Sequence, residues 1–386
     1  MMPRWLQLVV FIGIALSILG GIHYYLWARL VRDTALSPTA SRLATLALVA
    51  LALSMPAAFF VRRSGGARAL IWIAFVWMGL MFLLFVALVG VEVAYVAARA
   101  TGVVDLERRT ALRRILAGVA SLTALSAAGV GLAEALRRLR VVEVTVQLRR
   151  LPRALDGFTI VQLTDIHVGP TIGRAFIEAM VARVNALSPD LVAITGDLVD
   201  GSVASLGDAV APLADLRSPH GTFFVTGNHE YYSGAEAWMA ELGRLGVRVL
   251  RNERVSIERD GEGFDLVGVD DWTARGMAAG HGADLPRALA GYDLARESVL
   301  LAHQPKQAIE AARLGVGLQL SGHTHGGQLW PFGYLVRLQQ PFVAGLDRLG
   351  ELTIYTSRGT GYWGPPMRLG APAEITRITL RAIPAG

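Results

Sequence analysis

The chain has 386 residues, room for about two or three ordinary domains, and 53% of them are hydrophobic against 18% charged. A mean hydropathy of +0.43 excludes a disordered chain, a solvated coiled coil and a simple water-soluble enzyme, and the absence of cysteine excludes disulfide frameworks, thiolate metal sites and cysteine nucleophiles. The net charge of +6 is uneven: residues 1–140 hold 15 Arg against 5 acids, and residues 141–386 hold 22 basic against 26 acidic residues.

Crossing a bilayer takes roughly 20 apolar residues. Four runs satisfy this: Trp5 to Trp27, Leu43 to Val61, Leu70 to Ala98, and the Ala- and Gly-rich Ile115 to Leu136. Short loops bearing Arg29, Arg32 and Arg42, then Arg62, Arg63 and Arg68, then Arg99, Arg108, Arg109, Arg113 and Arg114 separate them. Arginines flanking apolar runs meet lipid headgroups, so the basic charge is read as membrane topology and no nucleic-acid partner is expected. Every loop is basic, so the membrane face of the C-terminal part stays open, with a slight lean to the outside. Placing the densest cluster, Arg108 to Arg114, in the cytoplasm tips it outward, while Arg137, Arg138 and Arg140 argue the reverse. His23 and Glu92 fall within the runs and are expected near helix ends, reaching the interface. The segment 1–140 is thus a multi-pass anchor in the cell membrane.

From residue 141 the pattern becomes that of a layered α/β domain. Val141 to Leu148 alternates as a strand does. Short apolar strands follow at Phe158 to Leu163, Leu191 to Thr195, Thr222 to Thr226, Phe264 to Val269, Ser298 to Ala302 and Leu318 to Leu320. Helical patterns lie between several of them: Ile172 to Leu187, Gly234 to Leu245 and Gln307 to Arg313. Ligands gather beyond the carboxyl ends of such strands, and there the sequence places Asp165-Ile166-His167, Gly196-Asp197-Leu198-Val199-Asp200, Gly227-Asn228-His229-Glu230, His303, and Gly322-His323-Thr324-His325. Each piece alone is weak. Together, at successive strand ends, they make a set of nitrogen and oxygen donors suited to Mn, Zn or Fe. Gly359-Thr360-Gly361-Tyr362-Trp363-Gly364 fits a dinucleotide fingerprint, but Pro365-Pro366 follows, so no helix starts and a loop is expected, with Trp363 and Arg368 as candidate substrate contacts.

The order D-x-H, GD-x-x-D, GNHE, single His, GH-x-H resembles the calcineurin-like metallophosphoesterases. With Ser321 to Gln328 and Gly361 to Arg368, the chain is similar to their membrane-associated YkuE- and YaeI-like branch. The resemblance spans about residues 141–386 and implies a four-layer αββα sandwich with two divalent metal ions at the strand ends. It assigns Asp165, His167 and His325 to the first metal and Asn228, His303 and His323 to the second, with Asp197 bridging. His229 is then a catalytic group beside the phosphoryl oxygens, and Asp200 and Glu230 support the ligands. The branch implies a phosphorylated, lipid-linked substrate such as UDP-2,3-diacylglucosamine. Alternatives are a phosphodiesterase or phosphatase acting on soluble nucleotides or monoesters, and a catalytically silent membrane scaffold or sensor.

Overall fold

The computed structural model describes residues 4–61, 68–100, 109–137 and 139–383. Arg62, Arg63, Arg108 and Arg138 lie outside the described residues. The chain divides into two compact units, one of residues 1–133 with 364–367, the other of residues 134–363 with 368–386.

The first unit contains α1 (Arg4–Trp27), α2 (Pro38–Val61), α3 (Arg68–Ala100) and α4 (Arg109–Ala135). All four are long and apolar enough to cross a membrane. Their outward faces carry Phe11, Leu46, Phe60, Val93 and Leu122, all more than half exposed. Polar side chains pair inside instead. His23 does not reach an interface: it is buried, its Nδ1 is 2.8 Å from the Leu19 carbonyl, and Trp77 Nε1–H donates to its Nε2 at 3.0 Å. A buried imidazole with both nitrogens engaged costs less than one left unpaired in an apolar bundle. Glu92 pairs with Arg29 at 3.2 Å, and Arg29 also reaches Asp33 at 2.8 Å.

The second unit holds two six-stranded sheets among the described residues. The first sheet is made of β1 (Arg140–Leu148), β2 (Thr159–Leu163), β3 (Leu191–Ile194), β4 (Thr222–Phe224) and β5 (Val247–Val249), with the late strand β12 (Glu374–Ala382) inserted between β1 and β2. The second contains β6 (Glu253–Arg259), β7 (Glu262–Gly268), β8 (Ser298–Leu301), β9 (Leu318–Ser321), β10 (Gly345–Leu349) and β11 (Leu352–Thr356). Strands β2 to β5 run parallel, as do β7, β8, β9 and β11. The helices are α5 (Arg174–Asn185), α6 (Val203–Val210), α7 (Asn228–Ser233), α8 (Ala235–Arg244), α9 (Leu285–Ala288), α10 (Ala308–Arg313) and α11 (Gly333–Val336).

Alternation along the strands sets the layers. Ile160, Leu191, Ala193 and Phe223 from the first sheet meet Phe264, Leu266, Val299 and Leu301 from the second in a central core. The opposite faces, Val161, Val192, Ile194 and Phe224, pack with Ile177, Met180 and Val184 of α5 and with Trp238 and Leu242 of α8. Val267, Leu300 and Ile354 likewise pack with Leu285 and Ala288 of α9 and with Ala308 and Ala311 of α10. Helices, sheet, sheet, helices: the domain is the αββα sandwich. Several strands went unread in the sequence, among them β5, β6, β10 and β12. β5 is only three residues long, and β6, β10 and β12 carry charged residues within them, which hides them from a search for apolar runs.

Candidate metal centre

The donor residues leave the carboxyl ends of β2, β3 and β4 in one sheet and β8 and β9 in the other. This brings together side chains more than a hundred residues apart. Asp165, His167 and His325 offer one group of ligand atoms, Asp197, His303 and His323 another, and within each group the atoms lie within 4.8 Å of one another. His167 Nε2 is 3.1 Å from His325 Nε2, and His303 Nε2 is 3.1 Å from His323 Nδ1. Asp197 Oδ2 stands between the groups, 3.2 Å from His303 Nε2 and 3.8 Å from His167 Nε2. Its Oδ1 is occupied by the His229 backbone N–H at 2.9 Å, so one oxygen rather than two faces both groups.

The local backbone is unusual. Asp165, His167, Asp197, His323 and His325 all have φ between 51° and 70°, the left-handed region that side chains with a Cβ avoid. Five such residues in one site mark it as a place where the fold holds strain for a purpose. The motif glycines supply room. A Cβ on Gly227 would stand 2.2 Å from Asp197 Oδ1, and one on Gly322 would stand 2.1 Å from Asp165 Oδ2.

Hydrogen bonds then fix the candidate donors. Asp165 accepts from His323 N–H at 2.9 and 3.0 Å and from the Thr164 hydroxyl at 2.8 Å. Buried Glu230 accepts from the backbone N–H groups of Asp197 (3.0 Å), Leu198 (2.8 Å), Val199 (3.3 Å) and Gly227 (2.7 Å), tying the loop after β3 to the start of α7. Burial and the nearby Asp197 charge push its carboxyl up to about 8, against the pull of the Gly227 and Leu198 amides. Asp200 Oδ1 lies 2.5 Å from His229 Nδ1, leaving His229 Nε2 turned inward, 4.0 Å from Asp197 Oδ2.

Charges follow from this packing. Burial alone would neutralise Asp197, but His303 and His229 outweigh it and hold the carboxyl well below the usual range. Burial lowers His229 as well, yet the charges of Asp197 and Asp200 push it up to about 9. His323 goes the other way, down to about 3, through burial and the His303 charge; burial and the Arg368 guanidinium lower His325 in the same sense. A metal requires neutral imidazoles, the form His323 and His325 favour; burial lowers His303 too, but the Asp197 charge outweighs it and raises it well above the usual range, so a cation there would displace its proton. Buried Asn228 Oδ1 has no hydrogen-bond partner, an orphan whose cost of about 1–3 kcal/mol a cation would remove. The donor set therefore fits divalent cations of borderline hardness.

Residues 158–327 match the family model described as calcineurin-like phosphoesterase. Over 407 residues the chain is 42% identical to a Bos taurus protein named transmembrane protein with metallophosphoesterase domain, covering 98% of this chain and 90% of the relative. The chain belongs to the calcineurin-like phosphoesterase family. It is also 41% identical over 252 residues to a metallophosphoesterase of Helicobacter pylori, spanning 65% of this chain and 66% of that one. It is 29% identical over 287 residues to the metallophosphoesterase YkuE of Bacillus subtilis, covering 72% and 98% respectively.

Within this phosphoesterase the two expected substrate contacts part company. Trp363 is half exposed, with its ring 5.6 Å from that of His229. Tyr232, which the sequence reading missed, also stands against the His229 ring at 5.3 Å, three residues along α7 and so on the same helix face. Arg368 is not a surface contact. Its guanidinium is buried and binds the carbonyls of Gly361, His325 (3.0 Å), Arg358 (2.6 Å) and Ala371 (3.3 Å), with Nη2 3.1 Å from His325 Nδ1. Burial lowers it only to about 10, so it stays charged at neutral pH. It clamps the loops behind His325. Arg368→Met is expected to lower Tm by roughly 10 °C, because several buried carbonyls lose their donor at about 1–3 kcal/mol each. Thermal melts of the full chain in detergent check this, and an unchanged Tm would refute the clamp.

Proposed function

We propose that this chain is a membrane-anchored phosphoesterase with a dinuclear metal site, hydrolysing a phosphate ester or diphosphate of a lipid-linked substrate in the manner of UDP-2,3-diacylglucosamine cleavage. The observation that supports it best is the position of Asp197 Oδ2, shared between two donor groups with His229 held beside it. Asp165, His167 and His325 would hold one cation, and Asn228, His303 and His323 the other, with Asp197 between them. A bound pair of Mn, Zn or Fe ions supplies neutralisation of the phosphate and an acidified water as nucleophile.

The chain's own residues do the rest. Asp200 accepts the His229 Nδ1 proton in its hydrogen bond and fixes the ring, and protonated Nε2 donates to the leaving oxygen. Trp363 and Tyr232 wall the approach to that nitrogen. Glu230 keeps Asp197 in place. The name of the bovine relative and the four apolar helices support the anchor.

The test is hydrolysis of bis(p-nitrophenyl) phosphate, p-nitrophenyl phosphate and a UDP-linked acyl sugar by the full chain in detergent, stripped by chelator and then reloaded with Mn, Zn or Fe. Turnover that disappears on stripping and returns on reloading is expected, with the acyl sugar preferred. A folded, metal-loaded chain without turnover would make it a scaffold instead.

A further inference from the structure

The segment that follows the His323–His325 loop is strongly apolar yet faces outward. Trp330 is 60% exposed, Tyr334 66%, Leu335 56% and Leu338 80%. These side chains are held out by a rigid base. Leu329 is buried, Trp330 N–H donates to the Leu369 carbonyl at 2.9 Å, and the Thr324 hydroxyl donates to the Val343 carbonyl at 2.6 Å. Gly327 backs so closely on Gly333 that a Cβ there would stand 2.4 Å from the Gly333 Cα. A fixed loop that displays Trp, Tyr and Leu is a contact surface in want of an apolar partner.

We propose that residues 330–338 form a membrane-contact surface of the phosphoesterase domain, seating these side chains in the headgroup–acyl boundary of a lipid bilayer. Three observations choose a bilayer over a protein. Trp and Tyr beside aliphatic residues and one cation, Arg337, are the composition of interfacial segments. No Asp or Glu occurs between Glu310 and Asp347, so nothing on the segment repels anionic headgroups. The same chain carries four helices of membrane-spanning length, and only residues 136–139 separate α4 from β1, so a bilayer is the apolar phase at the highest effective concentration.

The surface is continuous with the mouth of the metal centre. The Gln328 side chain donates to the Trp363 carbonyl at 2.9 Å and accepts from the Trp363 N–H at 3.0 Å, and Trp363 stands beside His229. Resting on the hydrolase reading above, the substrate phosphate is then one held at headgroup depth.

Because the chain has no cysteine, single cysteines can be placed without background. Leu335→Cys, Leu338→Cys and, as a control on exposed α5, Glu178→Cys would carry a nitroxide in the full chain, reconstituted in nanodiscs of phosphatidylcholine with phosphatidylglycerol. Spin relaxation by oxygen is expected to exceed that by a water-soluble nickel chelate at 335 and 338, with the order reversed at 178. Tyr334→Asp should reverse the order at 338 while leaving Tm and bis(p-nitrophenyl) phosphate hydrolysis unchanged. Dominant nickel relaxation at 335 and 338 would overturn the proposal. Exclusion of both quenchers would overturn it too, in favour of a second copy or another protein. The labels report whether or not the chain turns over, so failure here is distinct from failure of the hydrolase reading.

Discussion

Asp197→Asn is expected to empty the metal centre and to reduce hydrolysis at least about a thousandfold, the scale on which removal of a central electrostatic group acts. The amide keeps the shape of the side chain, and its oxygen can still accept from the His229 backbone N–H that Oδ1 now receives at 2.9 Å. What it removes is the charge at Oδ2, the one atom near both donor groups. Without it, no anion stands between the two donor groups to offset the charge of two cations. Metal content by mass spectrometry and bis(p-nitrophenyl) phosphate turnover read the two effects. Full occupancy at the parent rate would dismiss the shared-carboxylate assignment.

His229→Ala separates chemistry from metal binding. The imidazole is not needed to complete either donor group, so metal content is expected to hold. The loss of a positioned proton donor should lower kcat by about 10²–10⁴-fold, or about 3–5 kcal/mol of barrier. Asp200→Asn should reproduce part of that loss, since it removes the partner that orients Nδ1. The comparison is kcat at saturating substrate with metal content measured on the same samples. An unaltered kcat, or metal loss equal to that of the Asp197 variant, would assign His229 a different role.

The clustering of candidate donors was legible in the sequence because they fall at strand ends. Short apolar runs such as Leu191 to Ile194 announce themselves, and the candidate donors follow within a few residues. The Asp260-Gly261 turn between β6 and β7, both residues at positive φ, was also present as a hairpin signal, but the charges of Glu253, Arg254, Glu258 and Arg259 obscured the strands it joins. Other features leave no trace in residue order. The left-handed backbone of Asp165 or His325 depends on distant packing. So does the fate of Arg368: an arginine beside Gly, Pro and Trp reads as exposed, and only the closure of loops 325, 358 and 371 around it makes it a buried strut. His23 was misjudged for the same reason, since its partner Trp77 lies on another helix.

The placement of β12 has a consequence for biogenesis. β1 follows α4 after four residues, yet its one sheet neighbour among the described residues is β12, pairing over the full register from Arg140–Glu374 to Leu148–Ala382, and β12 also covers the edge of β2. During synthesis from the amino end, the four apolar helices emerge and can enter a bilayer while β1 is still without a partner and the edge of β2 is open. The sheet closes only when residues 374–382 leave the ribosome. Entry of these helices into a bilayer can therefore precede completion of the phosphoesterase domain, and a message truncated before Glu374 is expected to yield a chain with two unpaired strand edges, a target for quality-control proteolysis rather than a smaller folded domain.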